Sequence, residues 1–215
     1  VSNLNTSGTE CTLYYDEYVP TAGEQILENY NSLLTRDDFS VTVTNTTTGT
    51  IYYEDTSKGR TYYFAGNPTD NWVSFGGFYW RIIRINEDGT LRLIYDSGSV
   101  IQTSAFNSTR TDNMYVGYMY QSNQVHGLTT NSTIKGVLDG WYQNNLTSVS
   151  DKIDGNAGFC GDRQPSTSNS TDNGIGGTGT TITYYGAYRR LISNKAPTFE
   201  CENESDLYTT SGSED

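Results

Sequence analysis

Phe78-Tyr79-Trp80-Arg81-Ile82-Ile83-Arg84-Ile85, then Asn86-Glu87-Asp88-Gly89, then Thr90-Leu91-Arg92-Leu93-Ile94-Tyr95 is the stretch that decides the fold. Its two outer runs are rich in aromatic and β-branched residues, which suit a pleated, half-buried surface. The middle segment fits a type I turn closed by a glycine in the left-handed region. A β-hairpin is therefore expected, with Ile85 opposite Leu91, Ile83 opposite Leu93, and Arg84 opposite Arg92 on the other face. Trp80, Ile83, Ile85, Gly89, Leu91 and Leu93 form its expected core. Aliphatic residues on both faces place the hairpin inside a sheet covered on both sides.

Further strand candidates lie on either side. Ile51-Tyr52-Tyr53 and Thr61-Tyr62-Tyr63-Phe64 are separated by Ser57-Lys58-Gly59, and Val73-Ser74-Phe75 stops at Gly76-Gly77. The Thr-rich stretch from Val41 to Gly49 reads as an exposed strand and turn, and residues 115–120 as another aromatic strand. Thr21-Ala22-Gly23-Glu24 has the form of a capping box, and Ile26, Leu27, Tyr30, Leu33 and Leu34 follow at helical spacing, so a helix is expected to about Leu34. Ser132 is placed to cap a helix carrying Ile134, Val137, Leu138 and Trp141, in which Gly136 and Gly140 cost about 1 kcal/mol each. Residues 166–181 read as a long polar loop; Tyr184, Tyr185, Tyr188, Leu191 and Ile192 return to helical spacing before Asn194 and Pro197. The expected fold is α+β, an irregular antiparallel sheet with a few short helices. Residues 1–49 form a lead-in with one short helix, and 50–215 a strand-rich domain.

Hydrophobic residues make up 34% of the 215, below the usual globular share, but 18 tyrosines supply large rings with polar tips. A disordered chain is poor in aromatics, so a folded domain is expected. The net charge of −12 leaves no basic footprint for phosphate backbones, so nucleic acid is not an expected partner. The first 58 residues hold nine acids against Arg36 and Lys58, and six acids follow Lys195; solubility accounts for this excess. No apolar run reaches the roughly 18–20 residues that span a bilayer, so no membrane insertion is expected. The start at Val1 and the tail Ser211-Gly212-Ser213-Glu214-Asp215 are those expected of a fragment.

Cys160 and Cys201 sit in similar segments, Gly158-Phe159-Cys160-Gly161 and Thr198-Phe199-Glu200-Cys201, and a disulfide between them is expected, which implies an oxidising location; the alternative is three buried thiols. Cys11 is then free or paired elsewhere. Seven Asn-x-Ser/Thr sequons, at Asn5, Asn45, Asn107, Asn131, Asn145, Asn169 and Asn203, mark polar surface.

Candidate chemistry is sparse. His126 is the lone histidine, without metal-ligand spacing around it. Cys160 with His126 imitates a thiol and base, but the expected disulfide removes the thiol. Asn86-Glu87-Asp88-Gly89 fits a hairpin turn better than a calcium loop, since the twelfth position lacks a glutamate. Thr171-Asp172-Asn173-Gly174 lacks the strand–glycine–helix frame of a phosphate site. Arg84 and Arg92 repel each other if unpaired; the expectation is an ion-pair network with Asp96, Asp162 or a helix-borne acid, and the sharper alternative is a carboxylate- or sulfate-binding spot. Tyr52, Tyr53, Tyr62, Tyr63, Tyr118 and Tyr120 are candidates for an exposed aromatic platform. No catalytic residue, metal or cofactor is assigned.

Gly59-Arg60-Thr61-Tyr62-Tyr63-Phe64-Ala65-Gly66-Asn67, Asn71-Trp72-Val73-Ser74-Phe75-Gly76-Gly77 and the hairpin through Thr90 resemble a block, YYFrG…NNyVsFaGf.WRIvRINgDGtiRLIy, found in uncharacterised surface proteins of gut Firmicutes. The resemblance continues through Gly140-Trp141-Tyr142, Phe159-Cys160-Gly161-Asp162-Arg163, residues 184–191 and Pro197-Thr198-Phe199-Glu200-Cys201. It implies a scaffold distantly similar to C-type lectins and formylglycine-generating enzymes. The Trp-Ser-type closing segment of that scaffold is absent, which implies truncation. The copper-binding role of cysteines in those enzymes finds no matching motif here.

The expected function is an extracellular or cell-surface binding and adhesion module for a carbohydrate or protein ligand, contacted by loops around 104–132 and 164–181. The rivals are a structural subunit of a surface filament or phage-like tail, and an atypical enzyme of the formylglycine-generating-enzyme-like fold.

Overall fold

Strand β4 (Phe78–Ile85) organises the molecule because both of its edges are paired. A computed structural model describes residues 16–107, 118–120, 129–160, 191–192, 194–201 and 207–208. One edge of β4 carries β5 (Leu91–Tyr95). The other is shared end to end by β3 (Trp72–Phe75), against the first half of β4, and β2 (Gly59–Phe64), against Arg84 and Ile85. Strand β1 (Ile51–Thr56) lies beyond β2, and every pairing in this five-stranded sheet is antiparallel. With helices on it, the sheet makes an α+β fold.

Local chemistry sets both β4 hairpins. Gly76 and Gly77 have φ of +59° and +84°, the two positive values that a two-residue type I′ turn demands. Gly89 has φ +80°, donates its N–H to the Asn86 carbonyl at 3.0 Å, and lets Asn86 donate to the Thr90 carbonyl at 2.8 Å. A Cβ at Gly89 would lie 2.2 Å from Thr21 Oγ1, so close approach as well as backbone conformation requires glycine there.

The hairpin register differs from expectation at one position. Ile85 faces Leu91 and Arg84 faces Arg92, but the register shifts between Ile82 and Arg84, so Ile82 and not Ile83 faces Leu93. A β-bulge leaves one residue unpaired and turns the strand. Ile83 is therefore 43% exposed rather than part of the core, while Ile82 and Ile85 are buried and Leu91 and Leu93 half-buried.

Residues directly opposite in paired strands share a face. Phe78, Trp80, Ile82, Ile85, Leu91, Leu93 and Tyr95 line one face, continued by Tyr62, Phe64 and Ile51. Two helices cover it. Helix α1 (Ala22–Leu27) begins with the expected capping box: the Glu24 N–H donates to Thr21 Oγ1 at 3.2 Å and the Thr21 N–H to Glu24 Oε2 at 2.7 Å. Its Gly23 presses on Ile85 and donates to the Gly89 carbonyl at 3.0 Å. Helix α2 (Thr133–Asn145) is capped by Ser132 and sets Trp141 among Phe78, Trp80 and Tyr95, with ring centroids 5.1, 6.3 and 5.7 Å away. The Trp80 indole donates to the Phe75 carbonyl at 2.9 Å, so the half-buried ring keeps its polar group satisfied.

Two further expectations fail for tertiary reasons. Helix α1 stops at Leu27 rather than Leu34: Asn29 Nδ2 donates to the Gln25 carbonyl at 3.1 Å at the helix end, and Leu34 joins β1 instead, bridging Tyr52 in parallel and accepting from the Tyr53 N–H at 2.8 Å. Residues 41–49 form no strand; Asn45 and Thr46 carbonyls accept single bonds from the Asn67 and Thr69 N–H groups at 2.9 and 3.0 Å. Among the described residues, no helix is long and apolar enough to cross a membrane.

Candidate functional site: the arginine–aromatic face

The opposite face of the sheet is built differently. Tyr52, Tyr63, Arg84 and Arg92 form one row across β1, β2, β4 and β5, and Trp72, Arg81 and Ile94 a second across β3, β4 and β5. Each of the five described arginines lies over an aromatic ring, four of them on or beside this face and Arg60, with Tyr53, on the helix-covered one. Arg36, Arg60, Arg81, Arg84 and Arg92 stand 4.7, 4.1, 4.0, 5.1 and 4.4 Å from the ring centres of Phe39, Tyr53, Trp72, Phe199 and Phe159. A planar guanidinium stacks on such a ring and shields it from water while keeping its own edge donors free.

The first row is covered, except at the terminal nitrogens of Arg92. Tyr63 stacks against Tyr52, Phe199 and Phe39 at 5.6, 4.7 and 6.5 Å, and burial pushes its hydroxyl pKa up to about 12. Cys160 and Cys201 are joined, with Sγ–Sγ 2.11 Å and Cα–Cα 5.2 Å, so the disulfide ties together the segments that bring Phe159 to Arg92 and Phe199 to Arg84. Ser57 anchors the same strap by donating its N–H to Glu200 Oε1 at 2.9 Å, and the bond from the Ser57 hydroxyl, followed by that from its N–H, lowers the Glu200 pKa.

Arg84 is fully engaged. It donates from Nε to Thr61 Oγ1 at 2.7 Å, from Nη1 to the Phe199 carbonyl at 3.0 Å and from Nη2 to Glu87 Oε1 at 2.9 Å. Glu87 is thus its acid, and the expected partner Asp96 instead contacts Arg81 at 3.2 Å. One side-chain oxygen of each turn residue is likewise occupied: Asp88 Oδ1 accepts from Thr90, Asn86 Oδ1 from Arg92 and Glu87 Oε1 from Arg84 and Thr56. Arg92 donates from Nε to Asn86 Oδ1 at 2.8 Å, and no carboxylate of the described residues forms an ion pair with it. Burial first, and then the charge of Arg84, lower its pKa.

The second row is open. Trp72 is 43% exposed, Tyr79 62%, Ile94 54%, and the neighbouring Phe159 50%. Beneath them the polar groups are fixed. Arg81 Nη1 donates to Asn71 Oδ1 at 2.8 Å and to the Pro68 carbonyl, while Asn71 Nδ2 donates to the Ile82 carbonyl at 2.9 Å. The Trp72 ring, the Arg81 guanidinium and the Asp96 carboxylate form a preset platform that can stack on an apolar face and hydrogen-bond at its rim.

The tyrosines named from sequence do not form this surface. Tyr52 and Tyr63 are buried, and Tyr53, Tyr62, Tyr118 and Tyr120 are half-buried. Trp72 and Tyr79 were missed, although Trp72-Val73-Ser74-Phe75 alternates and Tyr79 stands two residues from Arg81. Cys11, residues 115–117, His126, Asp162, residues 171–177 and most of the 184–192 segment lie outside the described residues, as does the 164–181 loop. No protein-family model, curated protein or solved structure matches this chain.

Proposed function

We propose that this chain is a binding or adhesion module acting outside the cell, of the kind displayed by the gut Firmicutes surface proteins its sequence resembles, on a C-type-lectin-like scaffold. The open Trp72–Tyr79–Ile94 face with its Arg81–Asp96 pair carries the reading, because exposed aromatics over fixed polar groups suit a saccharide ring or a protein side chain. The disulfide supports an oxidising compartment. A glycan array with the full chain tests it: binding is expected and is lost, by tenfold or more, in Trp72→Ala. Uniform absence of glycan binding removes the lectin version. The same exposed apolar residues also favour a filament-subunit reading, and concentration-dependent light scattering that Trp72→Ala abolishes would select it.

A further inference from the structure

We infer that Arg92 is an oxyanion-binding position beside the open face, so that the ligand taken there is an acidic saccharide bearing a carboxylate or sulfate; the inference rests on the reading of that face as a binding surface. Two like charges placed directly opposite in a sheet are destabilising. Arg84 and Arg92 are so placed, and Glu87 is the one described carboxylate in ion-pair contact with either. Among the described residues, no second carboxylate forms an ion pair with the pair of arginines, so Arg92 has none of its own.

The Arg92 guanidinium is already oriented. Arg92 Nε is held by Asn86 Oδ1 at 2.8 Å, Asn86 is held in turn by Thr90 Oγ1 at 2.8 Å, and the Phe159 ring lies 4.4 Å beneath. Its terminal nitrogens have no acceptor among the described residues and are not sealed from water. That edge is a fork of parallel N–H donors, which matches a carboxylate or sulfate bidentately. Asp88 and Asp154 act on Arg92 only through their charge, and Asp88 Oδ1 is occupied by Thr90.

Position links this fork to the platform. Arg92 and Ile94 are two residues apart on β5 and share a face, about 7 Å apart along the strand. A pyranose ring resting on Ile94 and Trp72 therefore sets an acidic substituent, or that of the next residue, within reach of Arg92.

The test is a titration of the full, isotope-labelled chain with sodium sulfate and with glucuronate at constant ionic strength, following the backbone amide resonances of Asn86, Leu91 and Leu93 around Arg92, which remain in every variant. A saturating shift is expected, absent in Arg92→Gln and weakened several-fold in Arg92→Lys, which keeps the charge and stem but loses the fork. Arg92→Lys carries the test alone if Arg92→Gln does not fold. Uronate oligosaccharides are expected to bind at least tenfold more tightly than neutral ones, with Arg92→Gln or Arg92→Lys erasing that preference and Trp72→Ala weakening both. No saturating shift, or an unchanged one in the Arg92 variants, overturns the inference and leaves neutral-glycan binding at the platform standing. Sulfate binding at Arg92 with no saccharide of either kind bound overturns the reading of the open face.

Discussion

The two faces of the sheet solve the same problem with different chemistry. On one, Ile51, Ile82 and Ile85 are buried under two helices and a cluster of Phe78, Trp80, Tyr95 and Trp141. On the other, arginines stack on rings, and a disulfide-tied strap covers only the row that ends at Arg92. Aliphatic burial removes area from water without regard to direction, so it suits a face that need only be dry. Stacked guanidinium groups hold rings in place and leave donors at the edge, so they suit a face that must stay partly wet. The contrast, more than any single residue, supports the proposed binding surface.

The strap is the sharpest place to break that contrast. Replacing both Cys160 and Cys201 with serine is expected to cost about 4 kcal/mol in urea unfolding, since the bond closes a loop of sequence separation 41. A loss below about 1 kcal/mol would mean that ring stacking alone holds the strap against Arg84 and Arg92. Next in size is a matched pair of truncations. Ile85→Ala should cost about 3 kcal/mol, whereas Ile94→Ala on the open face should change stability by no more than about 0.5 kcal/mol. Equal losses in thermal or urea unfolding would erase the distinction between the faces.

Alkaline titration probes one tyrosine on each face. Burial raises Tyr63 to about 12, and burial followed by the charge of Asp70 raises Tyr30, which packs edge-on against Phe64, to about 12. In the unfolded chain both hydroxyls ionise near pH 10. Between about pH 10 and 12 the unfolded state loses these protons first, so stability should be undiminished below pH 10 and fall as pH rises through that window. Because the chain has 18 tyrosines, the check is a difference spectrum: folded-state tyrosinate absorbance near pH 10 that Tyr30→Phe and Tyr63→Phe each reduce by one ring would show both rings to be open to water.

Local signals were legible and tertiary ones were not. Gly76-Gly77 and Asn86–Gly89 specify their turns through backbone conformation, which a sequence displays directly. The capping box at Thr21 and the Ser132 cap are equally local. The bulge escaped notice because Ile82 and Ile83 are chemically alike, and only packing decides which faces Leu93. Leu34 carried a helical spacing yet serves a β-bridge with Tyr52, a partner distant in sequence. The platform was hidden for the same reason: whether Trp72 or Tyr52 meets solvent depends on which row of their shared face the strap covers, and nothing in either residue's neighbourhood records it.

The bond between Cys160 and Cys201 has a consequence for durability. Arg163, Arg189, Arg190 and Lys195 all fall between the two cysteines. A protease that cleaves after any of them nicks the chain without dividing it, because both ends remain covalently fastened beside the sheet. Such a nicked molecule keeps Phe159 and Phe199 on the same covalent body as the platform, and it comes apart only when a reductant is added.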